Sequence, residues 1–334
     1  MRHGKARFVT GFLAIPVVLY LYYVIWPFLQ AAGYSLTNWG GYSDTQELVG
    51  LENYARLLKD ELFQMAFWHT VFFLVTVPLF TIALALFFAF LLNVGGRGNR
   101  AGVQGVRGSG LYKVIFFFPQ VLSLVVIAVM WQQIYRGDGQ GLINGLLIRL
   151  GLVDPQDPVL FTADPQPFPG VPGVLNHIPR PFWNILHAFL DVPAVLWWLL
   201  LIAVWGGVGF YMVLFSAAMQ SIPRDIYEAA MLDGAGPVHS FLRVTLPLLR
   251  DTVSVAWVYL GFIALDMYAL VYVMTPSQGG PNHKSEIFAS ILNFSAFNKG
   301  QFGYACAMGV AMAIFALLLA ALQLRITRRE RIEF

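Results

Sequence analysis

The sequence predicts an all-α integral membrane fold with six membrane-spanning helices. Of the 334 residues, 58% are hydrophobic and only 12% are charged, whereas an average soluble domain is about 25% charged. This number of charged residues is too small to cover a surface that is exposed to water. The lipid bilayer is therefore the expected partner. The sequence also contains six long apolar runs, and about 20 apolar residues in a helix cross a hydrocarbon core of about 30 Å.

The bounding charges define the spans in chain order. The runs lie between Arg7 and Asp44, Glu61 and Arg97, Lys113 and Arg136, Asp191 and Arg224, Asp251 and Lys284, and Lys299 and Arg325. They place the spans at about residues 8–32, 66–92, 112–135, 194–219, 252–275 and 302–325. Helices satisfy all their backbone groups in lipid, and the alternation of barrel strands is absent. The chain 1–334 is predicted to form one transmembrane domain. Its first run lacks a small-residue cleavage site, which predicts a retained helix.

Lysine and arginine predict which side each connecting segment faces, because cytoplasmic segments carry an excess of these residues. Fourteen of the 21 lie in the segments on the side of the two termini, and seven lie on the opposite side. The distribution predicts that both termini face the cytoplasm. The basic residues form no single stripe of the kind that nucleic acid binding requires.

The segment between the third and fourth spans, residues 152–193, is rich in proline. It holds nine of the 18 prolines, and proline at this density disfavours regular helix. We expect an irregular extension on the outer face, either a covering loop or a contact for an external partner.

The inner segment at residues 220–250 has the clearest local pattern. Pro223 suits a first helical turn, Gly234 and Gly236 end the helical run, and Pro237 opens a second short helix. Glu228 and Asp233 offer charged contacts to another protein. The small residues beside them, Ala229, Ala230, Gly234 and Ala235, allow close approach.

This segment resembles the EAA loop of binding-protein-dependent ABC importer permeases. The resemblance rests on Glu228, Ala229, Ala230, Asp233, Gly234 and Ala235, followed by Leu246 and Pro247. It implies a type I ABC importer permease architecture, in which this loop forms a cytosolic coupling helix that docks into a partner ATPase. It also implies a second permease subunit, an ATPase dimer that binds ATP and Mg, and an extracytoplasmic solute-binding protein or lipoprotein. The location that it implies is the bacterial cytoplasmic (inner) membrane.

Further segments resemble the carbohydrate branch of this family, the maltose and multiple-sugar permeases. They are Gly50 to Tyr54, Thr275 with Gly279 to Pro281, and Phe302 to Ala305. The first residues, MRHGKARFVTGFLAIP, resemble actinobacterial permeases for N-acetylglucosamine or chitobiose. These similarities imply a sugar as the solute; permeases for other solutes, such as glycerol phosphate or polyamines, remain an alternative.

A glycine-rich stretch in the fourth span is a candidate substrate path. It contains Trp205, Gly206, Gly207, Phe210 and Tyr211. Glycines that weaken a helix expose carbonyl groups, and aromatic faces suit a sugar ring, although glycines also serve close helix packing. The equivalent stretch of maltose-type permeases lines the sugar site.

Asp266 is the only acid within a span, and an intramembrane carboxylate is by default a functional candidate. We expect a structural or pathway role rather than a proton relay, with the carboxylate either hydrogen-bonded by Tyr268 or Tyr272 or reached by water. The carbohydrate branch has an acid three residues later, where this chain has Ala269.

Two other classes of protein are less favoured. An ion-coupled secondary carrier often shows internal repeats, and none is evident in the sequence. An enzyme is disfavoured because the sequence lacks H-E-x-x-H, G-x-S-x-G and the P-loop pattern, and its six histidines are scattered. The lone Cys306 gives no metal-ligand pair. We expect no cofactor on this chain and ATP on a partner.

Overall fold

The structure is a computed structural model that describes residues 2–42, 46–94, 108–162, 192–275 and 279–327. The regular structure of these ranges is helical, apart from an isolated antiparallel bridge between Thr37 and Leu48. The chain divides into two compact units. The first comprises Met1–Gln64 and Ile291–Leu322, and the second comprises Met65–Ser290 and Gln323–Phe334.

The first unit holds the first and last long helices. Its elements are α1 (Arg2–Tyr20), a π-helical turn (Leu21–Ile25), α2 (Trp26–Tyr34), α3 (Glu52–Leu57), the start of α4 (Glu61–Val94), the end of α14 (Phe288–Asn293), a second π-helical turn (Phe294–Asn298) and α15 (Phe302–Thr327). α1, the first π turn and α2 follow one another without a break.

Buried polar contacts fix the short α3 in the first unit. The Asn53 side-chain amide donates to the carbonyl oxygens of Ser35 (2.9 Å) and Thr37 (2.8 Å), which follow the end of α2. Tyr54 Oη lies 2.7 Å from Ser35 Oγ. Since a helix leaves its last carbonyl groups without partners, Asn53 supplies donors where the backbone has none. In the segment Gly50 to Tyr54, which resembles the carbohydrate branch, Asn53 and Tyr54 therefore hold α3 against the end of α2.

The F-G-Y-A segment opens α15 in the same unit. A β-carbon on Gly303 would lie 2.1 Å from the Thr37 carbonyl oxygen, so only glycine allows this approach. Tyr304 Oη donates to Asp60 Oδ2 at 2.6 Å, and the other oxygen of Asp60 accepts from Leu62 N at 3.0 Å. Asp60 thereby caps the N-terminus of α4.

The second unit holds the central helices. Its elements are the rest of α4, α5 (Ser109–Val121), α6 (Leu124–Ile134), α7 (Leu142–Arg149), α8 (Ala194–Gln220), α9 (Arg224–Leu232), α10 (Pro237–Ser240), a π-helical turn (Phe241–Thr245), α11 (Leu246–Leu248), α12 (Arg250–Leu265), α13 (Tyr268–Met274), a 3-10 turn (Pro281–His283) and the start of α14.

Four described helices are long and apolar enough to cross a membrane. They are Gly11–Tyr34, Glu61–Asn93, Ala194–Gln220 and Phe302–Leu322. The number rises to six if each of two bent pairs is one span: Ser109–Val121 with Leu124–Ile134, bent by 99°, and Pro237–Leu248 with Arg250–Leu265, bent by 69°.

The predicted span 112–135 is broken rather than continuous. α5 ends shortly after Pro119; Leu122 and Ser123 are extended, with ψ of 144° and 147°. Ser123 Oγ then accepts from Val126 N and caps α6. Proline cannot continue the hydrogen-bond ladder and serine favours a helix start, so the sequence does carry this break.

The predicted span 252–275 is also broken. α12 ends at Leu265, and Asp266 has a non-helical backbone (φ −102°, ψ 37°) before α13 begins at Tyr268. α13 packs against α6, where the Gln132 side-chain amide donates to the Val273 carbonyl. Polar side chains that meet backbone in this way let an interrupted helix persist at membrane depth.

The core of the second unit forms around α8, which packs against α5, α6, α12 and α13. Its largest fully buried side chains include Phe73, Leu199, Met212, Phe215 and Leu260. The residues described from the proline-rich segment are only 152–162 and 192–193; its expected irregular structure otherwise lies outside the described residues.

Candidate functional site

The segment between α8 and α12 folds into α9 and a second helical stretch that begins at Pro237, and the sequence predicts both helix starts. α9 begins after Pro223, which is extended (ψ 140°), and carries Asp225 in its first turn. An acid at this end interacts favourably with the helix dipole. α10 begins with Pro237 at its first position, where the missing proline N–H costs nothing.

A Schellman motif ends α9 at the D-G-A residues. Gly234 has φ +79°, and its N–H donates to the Met231 carbonyl at 2.9 Å. The N–H of Ala235 donates to the Ala230 carbonyl at 2.9 Å. This pair of bonds with a left-handed residue is the usual helix stop that requires glycine. A β-carbon at position 234 would meet open space. Glycine is therefore required there by its backbone angle and not by crowding.

α9 presents a mixed polar and apolar face to its surroundings. Glu228, Ala229, Asp233 and Gly234 are exposed, and the Leu232 side chain is 90% exposed. Ala230 is only 9% exposed and Ala235 is half-buried, so these two small residues pack inward rather than forming the surface.

Exposed apolar side chains around α9 were missed by the sequence analysis. Besides Leu232, they are Met231 (46% exposed), Val238 (60%) and Leu242 (54%). Single exposed apolar residues are ordinary, but such residues clustered with an exposed acid suit a protein interface. Their positions on short helices could not be deduced from hydropathy alone.

One hydrogen bond joins α9 to the chain that leaves it. Tyr227 Oη lies 3.1 Å from Thr245 Oγ1, and Thr245 is buried at 2% exposure. Burial raises the pKa of the Tyr227 hydroxyl, against the smaller lowering effect of its bond to Thr245. Burial therefore favours the neutral hydroxyl, which can donate or accept in this bond.

Of the five candidate path residues of α8, Trp205 alone lines the apolar cavity described here. Trp205 lines an apolar cavity of about 770 Å³ between α4, α5 and α8, together with Phe80, Phe116 and other apolar residues. Phe210 is 38% exposed and Tyr211 is buried at 2%. Neither lines this cavity.

α8 runs without a break from Ala194 to Gln220, through all three glycines of this stretch. Gly209 allows close packing: a β-carbon there would lie 1.8 Å from the Phe116 carbonyl oxygen of α5. Gly206 and Gly207 are less constrained, since β-carbons there would lie 3.8 Å from Ile127 Cδ1 and 3.6 Å from Thr81 Cγ2. Small residues at helix contacts are typical of membrane proteins.

Asp266 lies at the break between α12 and α13 and is exposed. Its expected hydrogen bond to Tyr268 or Tyr272 is not formed; within the described ranges, only its backbone N–H has partners, the Phe262 and Ile263 carbonyls. The two tyrosine rings lie against each other, 5.5 Å apart.

A second acid, Glu286, was not singled out from the sequence. It is 1% exposed, accepts from Ser290 Oγ and lies 3.3 Å from His283 Nδ1. Gly279 (φ +109°) packs on it so tightly that a β-carbon would lie 2.3 Å from its carboxylate oxygen. Gly279 therefore packs directly against a buried carboxylate. Across the described part of the chain, no three His, Cys, Asp or Glu residues form a metal site.

The described helices include four that are long and apolar enough to cross a membrane, which is typical of a multi-pass membrane protein. Residues 54–332 match the family described as "Binding-protein-dependent transport system inner membrane component", and the chain belongs to this family. The resemblance seen in the sequence is confirmed, and the chain is a membrane permease subunit.

The similarity to particular relatives extends over nearly the whole chain. The diacetylchitobiose uptake system permease protein NgcF of Streptomyces coelicolor is 35% identical over 97% of this chain and 83% of its own length. The alpha-glucoside transport system permease protein AglF of Rhizobium meliloti is 28% identical over 96% of this chain and 82% of its own. The fold matches a chain of a bacterial ABC transporter involved in the import of the acidic polysaccharide alginate, with TM-score 0.72 and 18% identity over 98% and 96% of the two chains.

Proposed function

We propose that this permease subunit imports a sugar, with diacetylchitobiose or a related amino sugar as its solute. The support for this class of solute is the relative NgcF, whose name assigns it to diacetylchitobiose uptake. AglF, named for alpha-glucoside transport, also handles a carbohydrate. The carbohydrate-branch segments of the sequence agree with this assignment.

The exposed helix α9 carries the proposed mechanism. It is the coupling helix, and its exposed face, with Glu228, Asp233 and Leu232, docks into a cytosolic ATPase. The Schellman motif at Gly234 supports this role, because it fixes where the helix stops. ATP and Mg bind on the ATPase dimer, whose closure displaces α9.

The topology follows from counting each bent helix pair as one span. In this count the fifth span is residues 252–275, formed by α12 and α13, and the segment 237–248 before it stays outside the membrane. The six spans form one permease domain, with both termini and residues 220–250 in the cytoplasm. The proline-rich segment at 152–193 lies on the outer face, where a solute-binding protein docks. One solved structure of the alginate transporter is titled as a complex with an alginate pentasaccharide-bound periplasmic protein, which supports a partner of this kind.

A second permease subunit completes the path through the membrane. The sugar passes along α8, where Trp205, Gly206, Gly207, Phe210 and Tyr211 remain candidates, and Asp266 lines the path at the helix break. An aromatic face such as Trp205 packs against the apolar face of a sugar ring. In alternating access, this path opens first to the outer side of the membrane and then to the inner side.

The substitution Glu228→Lys tests the coupling role. Reversing the charge at an exposed docking residue is expected to stop uptake of radiolabelled diacetylchitobiose, because a like-charge contact disfavours docking. Glu228→Gln serves as the matched variant and retains part of the uptake, and immunoblots of membranes establish equal amounts of protein. Normal uptake by Glu228→Lys at equal abundance would remove α9 from the coupling role. Uptake that a proton uncoupler stops while cellular ATP is maintained would favour an ion-coupled carrier instead.

A further inference from the structure

A buried polar cluster joins the end of α4 to the end of α8. Asn93 is 1% exposed, and its side-chain amide donates to the Ala89 carbonyl at 2.7 Å and to Ser216 Oγ at 2.9 Å. Its oxygen accepts from Gln220 Nε2 at 3.3 Å. Ser216 is also 1% exposed. The Asn93 amide nitrogen also donates to Met219 Sδ at 4.0 Å. Both ends of the amide are therefore used, and three of its four bonds cross to α8.

The same turn of α4 also contacts the chain beyond α9. The rings of Phe90 and Phe241 lie 4.7 Å apart. Phe90 precedes Asn93 by three residues, which places the two side chains on neighbouring positions of the helix surface. Phe241 opens the π-helical turn that ends at Thr245, the residue bonded to Tyr227 of α9.

The two segments that carry α9 thus both meet the last turn of α4. α8 leads into α9 and is held at Asn93, and the π-helical turn leads away from α9 and is held at Phe90. A buried amide is stable in an apolar setting only when its partners are present, so its bonds specify one position of α4 against α8. An apolar residue in place of Asn93 would also pack there, but it would not fix where α4 lies against α8.

We propose that Asn93 is a positioning residue for transport, which links α9 to α4 so that both move when the ATPase acts. This inference rests on the proposed role of α9 as the coupling helix. With the link in place, a displacement of α9 moves α8 and α4 as one body. Without it, ATP hydrolysis continues but less of its motion reaches α4.

The variant Asn93→Leu removes all three bonds to α8 and keeps the branched shape and the number of side-chain heavy atoms. The measurement is the number of diacetylchitobiose molecules transported for each ATP hydrolysed by the complete importer in proteoliposomes. We expect this ratio to fall by about threefold to tenfold, the range typical of residues that carry coupling between sites. A change in folding alone would lower the amount of assembled importer but leave the ratio unchanged.

Thr76→Val is the matched control in the same helix. Thr76 is also buried, at 2% exposure, but its hydroxyl donates to the Phe72 carbonyl of its own helix at 2.7 Å. Its loss breaks no bond to α8, so the transport ratio should equal that of the unmodified importer. A fall of the same size in Thr76→Val and Asn93→Leu would overturn the proposal.

Ser216→Ala decides the question if Asn93→Leu fails to assemble. It removes one partner of Asn93 with little change in volume and should lower the ratio by a smaller factor. An unchanged ratio in Ser216→Ala, or in assembled Asn93→Leu, would refute the positioning role. If that occurs while Glu228→Lys abolishes uptake, the coupling helix stands and only the link to α4 fails. If Glu228→Lys transports normally, the proposed function itself fails.

Discussion

Gly209 is the residue at which α8 meets the backbone of α5. Its hydrogen atom occupies the place where a β-carbon would collide with the Phe116 carbonyl oxygen. Two residues earlier, Gly207 has ordinary contact distances. In lipid, where no hydrophobic force drives helices together, such close backbone contact is a main source of association. The two glycines therefore contribute differently to stability.

Gly209→Ala is expected to destabilise the protein by about 1–3 kcal/mol, the usual cost of adding a methyl group to a filled site. The measurement is the apparent melting temperature of the detergent-solubilised protein. Gly207→Ala is the matched control, and it should be neutral or slightly stabilising because alanine is the better helix former. Equal melting temperatures for both variants would contradict the close contact at Gly209.

The sequence showed where these glycines lie but not what each one does. The G-G-V-G pattern is compatible with a weakened helix and with close packing, and only the neighbouring helix decides between them. Position 53 shows the same limit: the resemblance to G-L-x-N-Y marked Asn53, but its role at the end of α2 depends on carbonyl groups that are 16 and 18 residues away. Side-chain partners across such distances are set by tertiary structure.

At the scale of whole elements, helix ends were predictable where the backbone demands a particular residue. Gly234 and Pro237 end and begin helices for local reasons, and both helices form as expected. The break at Ser123 also has a local signal in the Pro119 to Ser123 sequence. The break at Asp266 has none, since no proline or glycine lies beside it, and it persists through packing of α13 on α6.

Gly234→Ala tests whether the stop of α9 matters for transport. Alanine at φ +79° costs about 1–2 kcal/mol, so the helix end should shift and the exposed Asp233 with it. We expect clearly reduced uptake of diacetylchitobiose at equal protein abundance in membranes.

Gly236→Ala is the control for this variant. Gly236 has φ −70° and ψ 168°, which any residue adopts, and its β-carbon would also meet open space. The two variants differ in the backbone angle that alanine must adopt, and Gly236→Ala should transport normally. Equal loss of uptake in both would point to a general intolerance of side chains in this turn.

For the molecule as a whole, composition predicted residence in lipid because too few charges are present to cover a soluble fold. It did not reveal that two of the predicted spans are interrupted, since a hydropathy window averages over breaks of one or two residues. Nor does it reveal the two compact units, one of which joins the first 64 residues to residues 291–322. That pairing depends on contacts such as Tyr304 with Asp60.

The distribution of lysine and arginine, fourteen against seven, makes a prediction about the whole topology. Leu232 and Leu152 are 90% and 68% exposed and should lie on opposite sides of the membrane, Leu232 in the cytoplasm.

Cys306 is the single cysteine, so Cys306→Ser gives a background into which Leu232→Cys or Leu152→Cys can be placed separately. A membrane-impermeant maleimide should label Leu232→Cys in inside-out vesicles and Leu152→Cys in right-side-out vesicles. The background protein should remain unlabelled, and detergent should expose both sites. Labelling of both cysteines in vesicles of one orientation would mean that an odd number of spans does not separate them, and the six-span topology would be wrong.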